Sequence, residues 1–254
     1  MDLLTKERRS AIALLVGERG AVDVKELTTR FGVTNETVRK DLIALEQEGL
    51  IERTHGGALR AERQHLQPLS CRVKQNHKAK SSVAAAAARL VCDGDVVAID
   101  SGSTALLLAE CLRKQPCRLT VVTNAVDVMR SFEDVPDIQV IFTGGYYDKE
   151  EMACYGEPAV SALENLHITK AFVTPSAINE KGLFIIHSAY LSLMRAYLKQ
   201  ADAAYVMVTK DKFLVNAPLL LCRLDASLTL VTDSEIDDRT LQRFAGYSIE
   251  VGPA

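Results

Sequence analysis

A chain of 254 residues, 48% hydrophobic and 25% charged, is long enough for one large domain or for a small domain and a larger one. No apolar run approaches the roughly 18 residues of a membrane helix, and the charged start MDLLTKERRS lacks a signal-peptide core, so a cytoplasmic protein without membrane attachment is expected. The net charge of -3 is unevenly placed, with eleven basic and eleven acidic side chains in 1–65, four and none in 66–80, and fifteen and twenty-two in 81–254, so attraction for a polyanion must come from clustering near the N-terminus.

In chain order, KERRSAIALLVG (6–17) places Ile12, Leu15 and Val16 at helical spacing, with Gly17 as a stop. Asp23, three residues before Glu26, predicts a capped short helix ending at Gly32. Thr34 can cap the next helix, where Val38, Leu42 and Leu45 form one apolar face and Gly49 ends the run. LIERTHGGALR then reads as a hairpin turning at Gly56 and Gly57. Three helices and a hairpin can bury a small core, which gives an expected first domain over 1–60. Residues 61–78, polar and interrupted by Pro68, read as a linker. A second domain is expected over 79–254, opening on an alanine-rich helix that stops at Gly94.

Beyond Gly94 the pattern repeats strand, loop, helix. The apolar runs DVVAID (95–100), RLTVVT (118–123), IQVIFT (138–143), ITKAFVT (168–174), AAYVMVT (203–209), SLTLVT (227–232) and YSIEV (247–251) alternate with amphipathic stretches such as STALLLAECLRK and LSLMRAYLKQ. Such continuous apolar strands predict an α/β fold, an open and mostly parallel sheet covered on both faces. Six scattered cysteines (Cys71, Cys92, Cys111, Cys117, Cys154, Cys222) form no CxxC pair, so buried reduced thiols are expected rather than disulfides or zinc. The five histidines are scattered too, and neither a metal nor another cofactor is expected.

With Val38, Leu42 and Leu45 inward, the helix opening at Thr34 turns Asn35, Glu36, Arg39 and Lys40 outward. A helix fits the major groove, where Arg reads guanine, Asn reads adenine and Glu accepts from cytosine. Thr34 and Thr37, at the helix start, can meet phosphates. The hairpin, with Arg53, His55 and Arg60, would lie along the backbone as a wing, the glycines permitting a tight turn and close approach. One small winged domain binds a short site weakly, so a homo-oligomer, dimer or tetramer, is expected on double-stranded operator DNA, assembled through the second domain.

In that domain DVVAID runs into SGSTALLL, so Asp100 ends a strand and Gly102, Ser103 and Thr104 open the next helix. Backbone amides, a helix dipole and two hydroxyls there suit an anion. Thr123 and Asn124 end the second strand, and Thr143, Gly144 and Gly145 the third. In a parallel sheet these ends collect on one edge, where ligands bind.

Arg8, Ile12 and Val16, then TxxTVRKDL from Thr34 to Leu42, then LEQEGLIERTHGGA resemble the winged helix-turn-helix of the DeoR family of bacterial transcriptional regulators. The likeness continues over about 75–235. It implies an N-terminal DNA-binding domain and a sensing domain similar in fold to ribose-5-phosphate isomerase and the CoA-transferase-like proteins. It further implies a regulator, mostly a repressor, of a carbohydrate-metabolism operon, released by a phosphorylated sugar or related anionic metabolite. Lys80 and Lys212 match family lysines and would meet a phosphate as point charges. The chain departs from the family pattern at TPSAI (174–178), which lacks the usual carboxylate, at Leu214 in DKFL, where a glycine is usual, and in LFIIHSAY. The phosphate side is thus kept and the sugar side altered. Two other readings stand: a sugar-phosphate isomerase with a DNA-binding appendage, and a constitutive DNA binder with a degenerate sensor. The first lacks an evident general base apart from Asp100.

Overall fold

The computed structural model describes residues 3–47, 51–54, 56–60 and 69–253. The first helix, α1 (Leu3–Arg19), passes the expected stop at Gly17. It ends at Gly20, whose left-handed φ of 79° costs glycine no Cβ clash. After β1 (Ala21–Asp23), the Asp23 carboxylate accepts the amides of Lys25 and Glu26 and caps α2 (Val24–Phe31). The Thr34 hydroxyl accepts the Thr37 amide at 3.2 Å where α3 (Asn35–Gln47) begins. The expected stop at Gly49 lies outside the described residues.

The hairpin consists of β2 (Ile51–Arg53) and β3 (Gly57–Arg60), and β1 joins the free side of β3 in an antiparallel sheet ordered β1-β3-β2. At Gly57 an added Cβ would stand 2.0 Å from the Val22 carbonyl oxygen, so only glycine lets β3 approach β1. Gly56 faces open space and carries no such demand. Ile12, Val16, Leu27, Val38, Leu42 and Leu45 form the sealed centre of this unit.

The chain divides into two compact units, Met1–Gln67 and Pro68–Ala254. The second opens with α4 (Leu69–Lys74), a helix inside the stretch expected as linker, and α5 (His77–Ala88). Its centre is a sheet of seven strands, all neighbours parallel: β4 (Val96–Ile99), β5 (Leu119–Thr123), β6 (Ile138–Phe142), β9 (Ile168–Val173), β12 (Ala201–Val208), β14 (Leu228–Thr232) and β15 (Ser248–Val251). They lie in the order β15-β14-β12-β9-β4-β5-β6 and coincide with the seven apolar runs.

The pleat divides the core into two layers. Val97, Ile99, Val121 and Phe172 pack with α5 and α6 (Ser103–Leu112). Ala98, Val122, Ala171 and Val173 point the other way, toward α8 (Glu157–Ser161) and α9 (Leu191–Gln200). Both faces are therefore covered, which is why these strands read as unbroken apolar runs. Short α7 (Val126–Arg130) and α10 (Asp238–Arg243), with 3-10 turns at Ser188–Tyr190 and Lys210–Phe213, are the other helices among the described residues.

Two small antiparallel pieces escaped the sequence pattern. One is the hairpin β7 (Tyr146–Asp148) with β8 (Ala153–Tyr155). The other is a sheet of β10 (Ala177–Asn179), β11 (Gly182–Ile185) and β13 (Leu219–Cys222). Strands of three or four residues offer too little alternation to register. The segment after β15 seats on α5, where the Ser82 hydroxyl donates to the Pro253 carbonyl. Cys154 is buried, Cys111, Cys117 and Cys222 are half-buried, and Cys71 and Cys92 are exposed, which corrects the expectation of buried thiols for all but Cys154.

Candidate DNA-binding face and effector site

The apolar side of α3 is sealed, with Val38, Leu42 and Leu45 at most 1% exposed. Thr34, Asn35, Glu36, Arg39 and Lys40 stand in solvent, and Thr37 is half-buried with its hydroxyl 2.9 Å from that of Thr34. Lys40 and Glu36 form an exposed pair across one turn at 3.7 Å. On the hairpin, the Arg53 amide and guanidinium both donate to the Glu46 carboxylate, at 3.1 and 3.4 Å. Arg60 closes β3. Its side chain, and the whole of His55, lie outside the described residues.

The unforeseen feature is Asp41. Its carboxylate is buried between the apolar residues of α3 and takes the Nε of Arg8 at 2.6 Å and of Arg9 at 2.8 Å. Two cations from α1 thus fix the helix that carries the outward row. The signal was available: an acid three residues after Val38 falls on the buried stripe and requires a partner.

In the second unit, parallel pairing brings the C-terminal ends of β4, β5, β6, β9 and β12 to one edge. Asp100 follows β4, is 4% exposed, and accepts the Thr174 amide at 3.3 Å and hydroxyl at 3.4 Å. Burial pushes its carboxyl up to about 6, against hydrogen bonds from the Ser101 and Thr174 amides that favour the charged form. Gly102, at φ 118°, precedes α6, and a Cβ there would meet the Thr174 hydroxyl at 3.2 Å. No side chain caps the start of α6, and Ser103 and Thr104 are buried at it.

The other loops hold this edge in shape. The Thr123 hydroxyl donates to the Ile99 carbonyl at 2.7 Å and accepts the Ala125 amide at 3.1 Å. The Asn124 side chain donates to the Cys154 carbonyl at 2.9 Å and accepts from the Tyr197 hydroxyl at 3.4 Å. Both residues are sealed, their polar atoms engaged inside the protein. Gly144 and Gly145, at φ 64° and 115°, turn the chain from β6 into β7. A Cβ on Gly145 would stand 2.5 Å from the Tyr155 carbonyl oxygen.

Lys80 and Lys212 come from distant parts of the chain. The Lys80 ammonium donates to the Arg72 carbonyl. Lys212 donates to the Pro175 carbonyl at 2.6 Å. Burial pushes Lys80 down to about 8, with the Lys212 charge adding to it. Burial likewise pushes Lys212 down to about 8, opposed by Asp211 and assisted by Arg72. Sequence reasoning missed Arg72, Glu151 and Thr174. Glu151 sits in a KEEM run that reads as a solvated turn, yet its carboxylate is buried and paired with Arg72. Leu214, standing where the family pattern has glycine, is 62% exposed at φ -106°, so the replacement is unstrained.

Among the described residues no helix is long and apolar enough to cross a membrane. Residues 8–64 match the family model of the DeoR-like helix-turn-helix domain, and residues 75–234 that of the DeoR C terminal sensor domain. Similar proteins include the HTH-type transcriptional repressor GlcR of Bacillus subtilis, 29% identical over 90% of this chain and 88% of that one. The putative aga operon transcriptional repressor of Escherichia coli O157:H7 is 30% identical over 82% and 79%. The lactose phosphotransferase system repressor of Lactococcus lactis is 29% identical over 96% of each. Among solved structures, ribose 5-phosphate isomerase A from Methanocaldococcus jannaschii aligns with TM-score 0.40 and 20% identity over 54% of this chain and 55% of that one. Two models of one family, matched in series over a helix-turn-helix unit and the α/β unit that follows it, place the chain in the DeoR family of DNA-binding transcriptional regulators.

Proposed function

We propose that this regulator represses a carbohydrate-metabolism operon and that a phosphorylated sugar relieves the repression. Thr34, Asn35, Glu36, Thr37, Arg39 and Lys40 would meet the operator, with Arg53, His55 and Arg60 along its backbone. Two copies or more would share one operator, since a single winged unit binds weakly. The observation that carries the effector reading is the meeting of a buried lysine, Lys80, and a half-buried one, Lys212, with an uncapped helix start at one sheet edge. A phosphate needs several donors and positive charge, and such a site supplies both. The names of the relatives, repressors of the aga operon and of a lactose phosphotransferase system among them, support the carbohydrate reading.

Thermal-shift screening of phosphorylated sugars identifies the effector, since a ligand of the folded form raises the melting temperature. Ser103→Glu should then abolish the response while operator affinity stays unchanged. If this variant releases DNA at the wild-type effector concentration, the pocket lies elsewhere. The isomerase reading draws on Asp100, a carboxyl raised to about 6 at the ligand edge. Against it, that carboxylate is already occupied by Thr174. Turnover of pentose or hexosamine phosphates by the purified protein would favour the enzyme.

A further inference from the structure

Among the described residues of the first unit, two large apolar side chains stand exposed, Leu59 on β3 at 42% and Ile43 on α3 at 39%. Neither belongs to the sealed cluster around Val38 and Leu42. A lone exposed apolar residue is ordinary on a protein surface. Ile43 differs from Leu59 in its place. It follows Glu36 by seven residues, Arg39 by four and Lys40 by three, so the four side chains stack on one side of α3. That side is opposite the buried Val38, Leu42 and Leu45. Ile43 is thus the apolar member of an otherwise charged outward row.

Helix stability gives no reason for isoleucine there, since its branch at Cβ makes it a weaker helix former than leucine, lysine or glutamine. Helices that lie in the major groove read bases from side chains spaced three, four and seven residues apart. In that groove the base edges carry donors and acceptors and one apolar group, the 5-methyl of thymine. An aliphatic side chain set against another edge would cover polar atoms without pairing them.

We propose that Ile43 is a specificity-determining residue of the operator face, and that it selects a thymine by packing on its 5-methyl group. This rests on the reading of α3 as the helix that enters the major groove. Ile43 lies about 6 Å further along the helix axis than Arg39. At about 3.4 Å per base pair, the selected thymine stands roughly one or two base pairs beyond the base that Arg39 reads.

The test uses the full chain and a duplex that the chain itself selects from a random pool. Each thymine in turn is replaced by deoxyuridine, which lacks only the methyl group, and affinity is read by fluorescence anisotropy at fixed salt. For the wild type, one replacement in each half of the site should weaken binding about fourfold, the effect of one buried methyl. Ile43→Ala should weaken binding to the thymine duplex by at least that factor, and should no longer distinguish deoxyuridine at that position. Its melting temperature and the salt dependence of its affinity should match the wild type, since Ile43 supports neither the core nor a phosphate contact. The deoxyuridine series needs no altered protein, so a poorly folded variant does not blunt it. Wild-type affinity indifferent to every deoxyuridine, with Arg39→Ala still weakened, would overturn the role of Ile43 and leave α3 as the reading helix. An Ile43→Ala variant that keeps the wild type's discrimination would do the same. If Arg39→Ala and Ile43→Ala both bind the selected duplex like the wild type, the operator face lies elsewhere, and this inference falls with it.

Discussion

Arg39 stands exposed on α3, and among the described residues no hydrogen bond or ion pair engages its guanidinium. Its neighbour Lys40 already shares charge with Glu36, and Arg53 with Glu46. A guanidinium that is both outward and unengaged is the best placed of the three to read a base edge. Arg39→Ala is expected to weaken operator binding by about 1–3 kcal/mol, measured by fluorescence anisotropy at fixed salt. The melting temperature should not move, because the side chain supports nothing in the fold. An unchanged operator affinity would remove Arg39 from the recognition surface. Outward placement of this kind is legible in sequence, since it follows from which residues of a helix must face in. The roles of Thr123 and Asn124 are not. A hydroxyl or amide at a strand end can face a ligand or a neighbouring carbonyl, and only the packing of Ile99, Cys154 and Tyr197 around them decides.

Between elements, the tie from α1 to α3 concentrates on Asp41. Removing one partner of a buried ionic cluster leaves the remaining charges uncompensated, at a cost of about 3–5 kcal/mol. Asp41→Asn keeps the shape and removes the charge that the Arg8 and Arg9 guanidiniums both engage. Calorimetry of the full chain should show a large downward shift in the transition of the first unit, with that of the second little changed. A variant melting like the wild type would make the cluster a surface ornament, against its burial. The elements themselves were unequally legible. The central parallel strands announced themselves because both of their faces are buried. β1 and the strands around Asn179 and Gly182 are too short to show a period, and α4 was masked by its polar residues and by Pro68 beside it. The Arg72–Glu151 pair joins residues 79 positions apart, a separation at which one sequence carries no pairing signal.

At the scale of the molecule, the lowered lysines set a pH dependence with two opposite signs. In the folded chain burial holds Lys80 and Lys212 down to about 8, below the ordinary lysine value of 10.5. Between those limits the unfolded chain holds more protons, so their contribution makes stability rise with pH across that window. Binding of phosphate needs the ammonium forms, so its affinity should fall as pH rises through about 8. The thermal shift produced by inorganic phosphate is therefore expected to shrink from pH 7 to pH 9.5, while the ligand-free melting temperature gains from these two residues. In Lys80→Met both slopes should flatten. A phosphate shift that stays constant across this range would separate the lysines from the anion.

The seating of Pro253 on Ser82 bears on how the protein comes into being. That contact spans 171 residues, and β9 lies between β4 and β12 in the sheet. The pairings of the first unit close within 1–60, whereas the second cannot complete its sheet until β15 has been made. Long-range pairing is slow to form, and domains made earlier on the ribosome generally fold earlier. A nascent chain thus completes its helix-turn-helix unit well before its sensor domain is whole, which leaves an interval during synthesis in which the first unit stands folded without the second.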